Sequence, residues 1–185
     1  MSLENYLTQS ARVIEECAAL QDRVETAIQH ITSALRAGKP LLVCGNGGSA
    51  ADAAHIAGEL VGRFHKERKA YKVICLTSNH AFMTAWSNDY AYESVFSRQV
   101  EGFGEPGAVL LALSTSGNSP NVIKAFEQAH TMGMATIALT GLGGGKLAPL
   151  ADILLDVPST STPLIQQGHI CLYHYICAQV EEQLG

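Results

Sequence analysis

The 185-residue chain is predicted to be an α/β three-layer sandwich, with a five-stranded parallel sheet of flavodoxin-like type preceded by a long N-terminal helix. Three observations predict this. The apolar runs "LLVCGN", "KVICLTS", "AVLLALSTS", "ATIALTG" and "DILLDVP" are short and continuous, as in strands buried on both faces. Helical segments separate them, and strand–helix alternation implies parallel pairing with helices on both sides. The strand ends are rich in Gly, Ser, Thr and Asn, which expose backbone N–H groups and hydroxyls where such sheets bind ligands.

In chain order, residues 3–37 are expected to form one helix. Cys17, Leu20, Val24, Ala27, Ile31 and Ala34 recur at spacings of three and four, a seam for lengthwise packing. The seam fits either this chain's own sheet or a bundle between subunits, and the bundle is the reading adopted. Further helical segments are expected at about 50–63, 82–102, 120–132, 146–150 and 163–183. "GLGGGK" (141–146) reads as a flexible loop. The whole chain, 1–185, reads as one domain, with 1–37 as a helical arm and 38–185 as the α/β core.

Composition excludes several classes of function. Net charge is −5 with only 12 Lys and Arg, and no basic stripe appears, so no nucleic-acid partner is expected. The five cysteines form no CxxC pair and sit mostly in apolar runs, which fits a reduced compartment. The N-terminus lacks a signal-peptide pattern, and no apolar run is long enough to span a membrane. A cytoplasmic location is expected.

Two loops suit an anion. In "STSGNSPN", Ser119 is placed to cap the next helix and Pro120 to open it. Helix N-termini attract phosphate, and Ser114, Thr115, Ser116 and Ser119 add hydroxyl donors there. A polar loop with one capping serine is the plainer alternative. In "GNGGSAAD", glycines permit tight turns, and Ser49 with Asp52 suggests a capping pair. No lysine follows the last glycine, position 50 is Ala, and no acid ends the second strand, so no nucleotide cofactor is expected.

His55 and Glu59 lie four apart on one helix face. Such a pair is commonly a surface ion pair or a satisfied core histidine. The apolar final helix, "PLIQQGHICLYHYICAQVEEQL", changes the weighting, because Gln166 and His174 lie two turns apart along one side while His169 projects elsewhere. His55, Glu59, Gln166 and His174 together have the chemistry to hold a metal such as zinc.

The segments "CGNGGSAADAAHIAGELVGRF", "NDY", "FSRQV", "LSTSGNSPNVIKA" and "TPLIQQGHICLYH" resemble the phosphoheptose isomerases among sugar isomerase (SIS) domain proteins, over nearly the whole chain. The resemblance implies conversion of D-sedoheptulose 7-phosphate to D-glycero-D-manno-heptose 7-phosphate, the entry to bacterial heptose synthesis. It also implies a cytoplasmic homotetramer with active sites at subunit interfaces and one zinc per subunit. His55, Glu59, Gln166 and His174 are then metal ligands. Asn46, Gly47, Gly48, Ser49, Asn88 and Asp89 are substrate-binding, with Glu59 and Gln166, and Ser114, Thr115, Ser116 and Ser119 form the phosphate loop. Some members carry an aspartate before the last helix, but "PSTSTPLIQ" has no acid.

The chemistry fits independently. Moving a carbonyl between C2 and C1 passes through an enediol(ate) and needs a base and an acid, for which Glu59 and His174 are the candidates. Arg63, one turn beyond Glu59, is a candidate anion contact. Two rival readings remain open here: a non-catalytic SIS protein that binds a replication initiator, and a sugar-phosphate-sensing module.

Overall fold

The computed structural model describes residues 2–185. Each apolar run forms a strand: β1 (Leu41–Gly45), β2 (Val73–Cys75), β3 (Val109–Ser114), β4 (Ala135–Thr140) and β5 (Ile153–Asp156). All pairings are parallel, in the order β2-β1-β3-β4-β5. The chain therefore reverses its direction of travel across the sheet between β1 and β3. At such a switch point the two loops leaving the strands diverge and open a crevice. Those loops are the glycine loop after β1 and the serine loop after β3.

Successive strand residues point to opposite faces, so the sheet has two cores. Leu41, Val43, Leu111, Leu113 and Leu139 face one layer, formed by α1 (Leu3–Glu16), α2 (Gln21–Arg36), α3 (Gly48–Val61) and α7 (Thr162–Leu184). Leu42, Cys44, Leu110, Ala112 and Ala138 face the other, covered by α4 (His80–Asp89), α5 (Val95–Phe103) and α6 (Pro120–Thr131). Phe96 and Phe126 anchor that second layer at 0% exposure, each burial stabilising by about 1.5–3 kcal/mol.

Three local expectations need correction. The N-terminal helix is interrupted by a 3₁₀ turn at Cys17–Leu20, where Leu20 (φ −87°, ψ 0°) leaves helical geometry. Its seam is buried inside this chain, against α7 and the sheet, rather than offered to another subunit. Arg23 helps fix α2 there, donating to the Leu154 carbonyl and to Asp156 Oδ1, both at 2.8 Å.

Segment 82–102 divides into α4 and α5. Asn79 caps α4 by accepting from the Phe82 N–H (3.1 Å), and extended Ala91 (φ −157°, ψ 140°) separates the two helices.

The glycine-rich loop is tied down. The Leu147 N–H donates to the Gly117 carbonyl (3.0 Å), Lys146 N–H to Asn118 Oδ1 (3.1 Å) and Gly143 N–H to Asp156 Oδ2 (3.2 Å). A β-carbon at Gly117, whose φ is +63°, would collide with the Gly144 carbonyl, so these two loops pack backbone to backbone. No helix among the described residues is long and apolar enough to cross a membrane.

Candidate active site

Helices α3 and α7 pack together on the same face of the sheet. Their shared seam brings together His55 and Glu59 from α3 and His174 from α7, with one ligand atom from each lying within 4.8 Å of the others. His55 Nε2 is 2.9 Å from Glu59 Oε1, and the His174 ring stands edge-on to His55 with centroids 5.0 Å apart. Phe64 lies against the His174 ring at 5.7 Å. His55 is exposed, while Glu59 and His174 are half-buried. The cluster is therefore open to a ligand.

Behind His55 runs a buried relay. The Tyr173 hydroxyl donates to Asp52 Oδ1 (3.4 Å), and its oxygen lies 3.0 Å from His55 Nδ1. Burial, then Asp52, pushes the Tyr173 phenol far above its usual range, so it stays protonated. Burial also raises the Asp52 carboxyl, against the opposing hydrogen bond from Tyr173 and the nearby histidines. Tyr173 thus holds one ring nitrogen of His55 from behind, and the other, Nε2, is turned toward the Glu59 carboxylate on the open side of the cluster. Two imidazoles and a carboxylate with an open side form a donor set that can hold a metal.

Gln166 sits a little apart. Its amide lies across the start of α3, where a β-carbon on Gly48 would come within 2.5 Å of Nε2. It makes no side-chain hydrogen bond among the described residues, so its oxygen and nitrogen are both available to a ligand. His169, as expected, points away: it is fully buried and donates from Nε2 to the Thr140 carbonyl at 3.1 Å.

At the switch point the two loops are joined. Asn46 and Asn121 exchange reciprocal amide hydrogen bonds, both 2.9 Å, and Tyr92 donates to Asn46 Oδ1 at 2.7 Å. The Asn46 carbonyl oxygen is thus already engaged, which leaves one amide hydrogen and the backbone for a ligand.

The expected caps are different in kind. Gly47 (φ +56°), not Ser49, is the N-cap of α3, and Ser49 and Asp52 lie inside the helix, both buried. Ser119 does occupy the N-cap of α6, and Pro120 opens the helix, but its hydroxyl pairs with Ser114 Oγ (2.9 Å) instead of capping. Ser116 Oγ accepts from the Asn118 N–H at 3.1 Å. Neither helix start has a side-chain hydrogen-bond cap from its N-cap residue, and serine hydroxyls ring the second. Such a start has N–H groups and a dipole end to offer an anion.

Two candidates stand apart from this cluster. Asn88 donates to Asp89 Oδ1 (2.9 Å), both are exposed, and no hydrogen bond among the described residues links them to the loops. Arg63 pairs with Glu67 at 3.0 Å on the surface. Asn121, Tyr92, Tyr173 and Asp52 were missed from sequence. A buried tyrosine next to His174 was the one available hint.

Comparison with known proteins settles the family. A SIS domain profile matches residues 5–141. The phosphoheptose isomerase of Rhodospirillum rubrum is 54% identical over 154 residues, covering 83% of this chain and 82% of that protein. The chain belongs to the phosphoheptose isomerase family. The solved phosphoheptose isomerase of Neisseria gonorrhoeae superposes with a TM-score of 0.92 at 39% identity, over 97% of each chain. That of Francisella tularensis gives 0.94 at 36% identity, over 97% and 96%. Membership makes the protein an isomerase, which removes the two non-catalytic readings.

Proposed function

We propose that this phosphoheptose isomerase converts D-sedoheptulose 7-phosphate into D-glycero-D-manno-heptose 7-phosphate. The carrying observation is the His55–Glu59–His174 cluster, formed where α7 meets α3, the helix that starts at the glycine loop. His55 lies seven residues past Gly48, roughly 10 Å along the helix axis, a span that suits an extended seven-carbon phosphate.

In this reading Ser114, Thr115, Ser116 and Ser119 and the start of α6 hold the phosphate. The backbone of Asn46, Gly47, Gly48 and Ser49, with Asn88 and Asp89, lines the sugar chain. Binding energy at the phosphate end then positions C1 and C2 at the cluster. Glu59 removes a proton from C1, and the C1–C2 double bond forms as His174 gives a proton to the C2 oxygen. The enediol collapses when the C1 hydroxyl returns its proton to His174 and C2 gains one from Glu59, which restores both residues. His55, Glu59, Gln166 and His174 would hold zinc, which when bound polarises the substrate carbonyl. The Tyr173–Asp52 relay keeps the His55 ring turned with Nε2 toward the pocket.

The same reading includes a cytoplasmic homotetramer. Leu3 and Leu7 on α1 and Tyr175 on α7 are 73%, 56% and 51% exposed, apolar surface that supports self-association.

The test is an isomerase assay on metal-stripped and zinc-restored protein with sedoheptulose 7-phosphate. Activity lost on stripping and restored by zinc is expected. Full activity without metal overturns the zinc assignment, and no aldose phosphate under either condition overturns the substrate.

A further inference from the structure

A second ionic cluster lies at the far end of α3, outside the reacting groups. Arg68 and Glu181 form an ion pair at 3.1 Å with side chains only 5% and 1% exposed. The Arg68 guanidinium donates from Nη2 to the Glu59 carbonyl and from Nη1 to those of Leu60 and Gly62, each at 2.9 Å. These are carbonyls at the C-terminal end of α3, where a helix has unpaired acceptors and a negative dipole end. Tyr71 supports the guanidinium from below, with its ring 4.0 Å away.

Glu181 faces the other way. Its carboxylate accepts from the N–H groups of Phe64, His65 and Lys66 at 2.9, 2.6 and 2.9 Å. Phe64 is the residue whose ring rests on His174. Glu181 itself follows His174 by seven residues, two turns down the same side of α7. One buried network thus grips the backbone of the turn carrying Glu59, the loop beneath His174 and the helix carrying His174.

A pair this buried is a poor device for stability alone, since apolar residues of similar volume commonly serve as well. Its contacts converge instead on the backbone that sets the distance between the two halves of the cluster. We propose that Arg68 and Glu181 are positioning residues that fix the spacing of Glu59 and His174 across α3 and α7, and so set metal affinity. The inference rests on the metal reading above.

The test measures zinc affinity by chelator competition, with melting temperature, on wild type, Glu181→Gln, Arg68→Lys and Phe126→Leu. Lysine keeps the charge of Arg68 but cannot span a carboxylate and several carbonyls at once. Phe126→Leu destabilises the opposite layer and controls for stability loss. Glu181→Gln and Arg68→Lys are each expected to weaken zinc binding about 10- to 100-fold, as changes behind metal ligands do. Phe126→Leu should stay within about twofold of wild type while its melting temperature falls. Either clamp variant alone decides if the other does not fold. Unchanged zinc affinity in the clamp variants, or an equal loss in Phe126→Leu, overturns the proposal. A wild-type chain that takes up no zinc overturns the metal reading itself.

Discussion

Ser116 and Ser119 give the sharpest test of the anion loop, because each hydroxyl can be removed without disturbing the core. Ser116 is exposed and Ser119 half-buried, and neither caps α6 through its side chain. Ser116→Ala or Ser119→Ala should therefore raise KM for the sugar phosphate while leaving the melting temperature nearly unchanged. A hydrogen bond to a charged group is worth about 1.5–3 kcal/mol, or roughly 10- to 150-fold. Unchanged KM in both variants would count against a phosphate loop. At this scale the sequence was legible where helical spacing does the work: His55, Glu59 and His174 fall together because each pair repeats on one face of its helix. Asn121 and Tyr92 were not legible, because their roles depend on a meeting of loops 75 and 46 residues from Asn46. The capping error at Ser49 has a local cause: Gly47, in a backbone region that side chains avoid, starts α3 two residues early.

Helix α7 carries a titratable group with no catalytic part. Burial pushes His169 down to about 4 from 6.5, with its hydrogen bond to Thr140 opposing only in part. The folded pKa lies below the unfolded one, so the unfolded chain takes up a proton that the folded chain refuses. Stability associated with neutral His169 is thus fully present above pH 6.5 and is lost as pH falls from there toward 4. Urea midpoints followed from pH 8 to 4 should fall less steeply in His169→Gln than in wild type. Parallel profiles would contradict this account. Element boundaries were read well where Gly or Pro marks them, as at Pro120. The division between α4 and α5 was missed because "SNDYAYES" contains neither, and the break rests on Tyr90 and Ala91, two ordinary residues that leave helical geometry. The 3₁₀ turn at Cys17–Leu20 was hidden for a similar reason: the apolar spacing runs through it unbroken.

For the molecule as a whole, the parallel sheet and its two layers follow from the continuous apolar runs, and the strand order places both polar loops at one switch point. What the pattern could not decide was the partner of the N-terminal seam, since an apolar stripe looks the same against a sheet or a subunit. Because that seam is buried internally, the proposed homotetramer is assigned instead to the exposed apolar residues on the outer face of α1 and α7. Leu7→Asp should lower the solution mass from tetramer toward smaller species without unfolding the chain, as read by sedimentation. An unchanged mass would remove this face from the interface. The central claim is that Glu59 moves the proton that makes this fold an isomerase. Glu59→Gln keeps the shape and one oxygen but removes the base. Turnover of sedoheptulose 7-phosphate, measured beside sugar-phosphate binding on the same zinc-loaded preparations, tests this most directly. The account predicts binding near that of wild type with turnover reduced about 100-fold or more, whereas near-normal turnover by Glu59→Gln would contradict it.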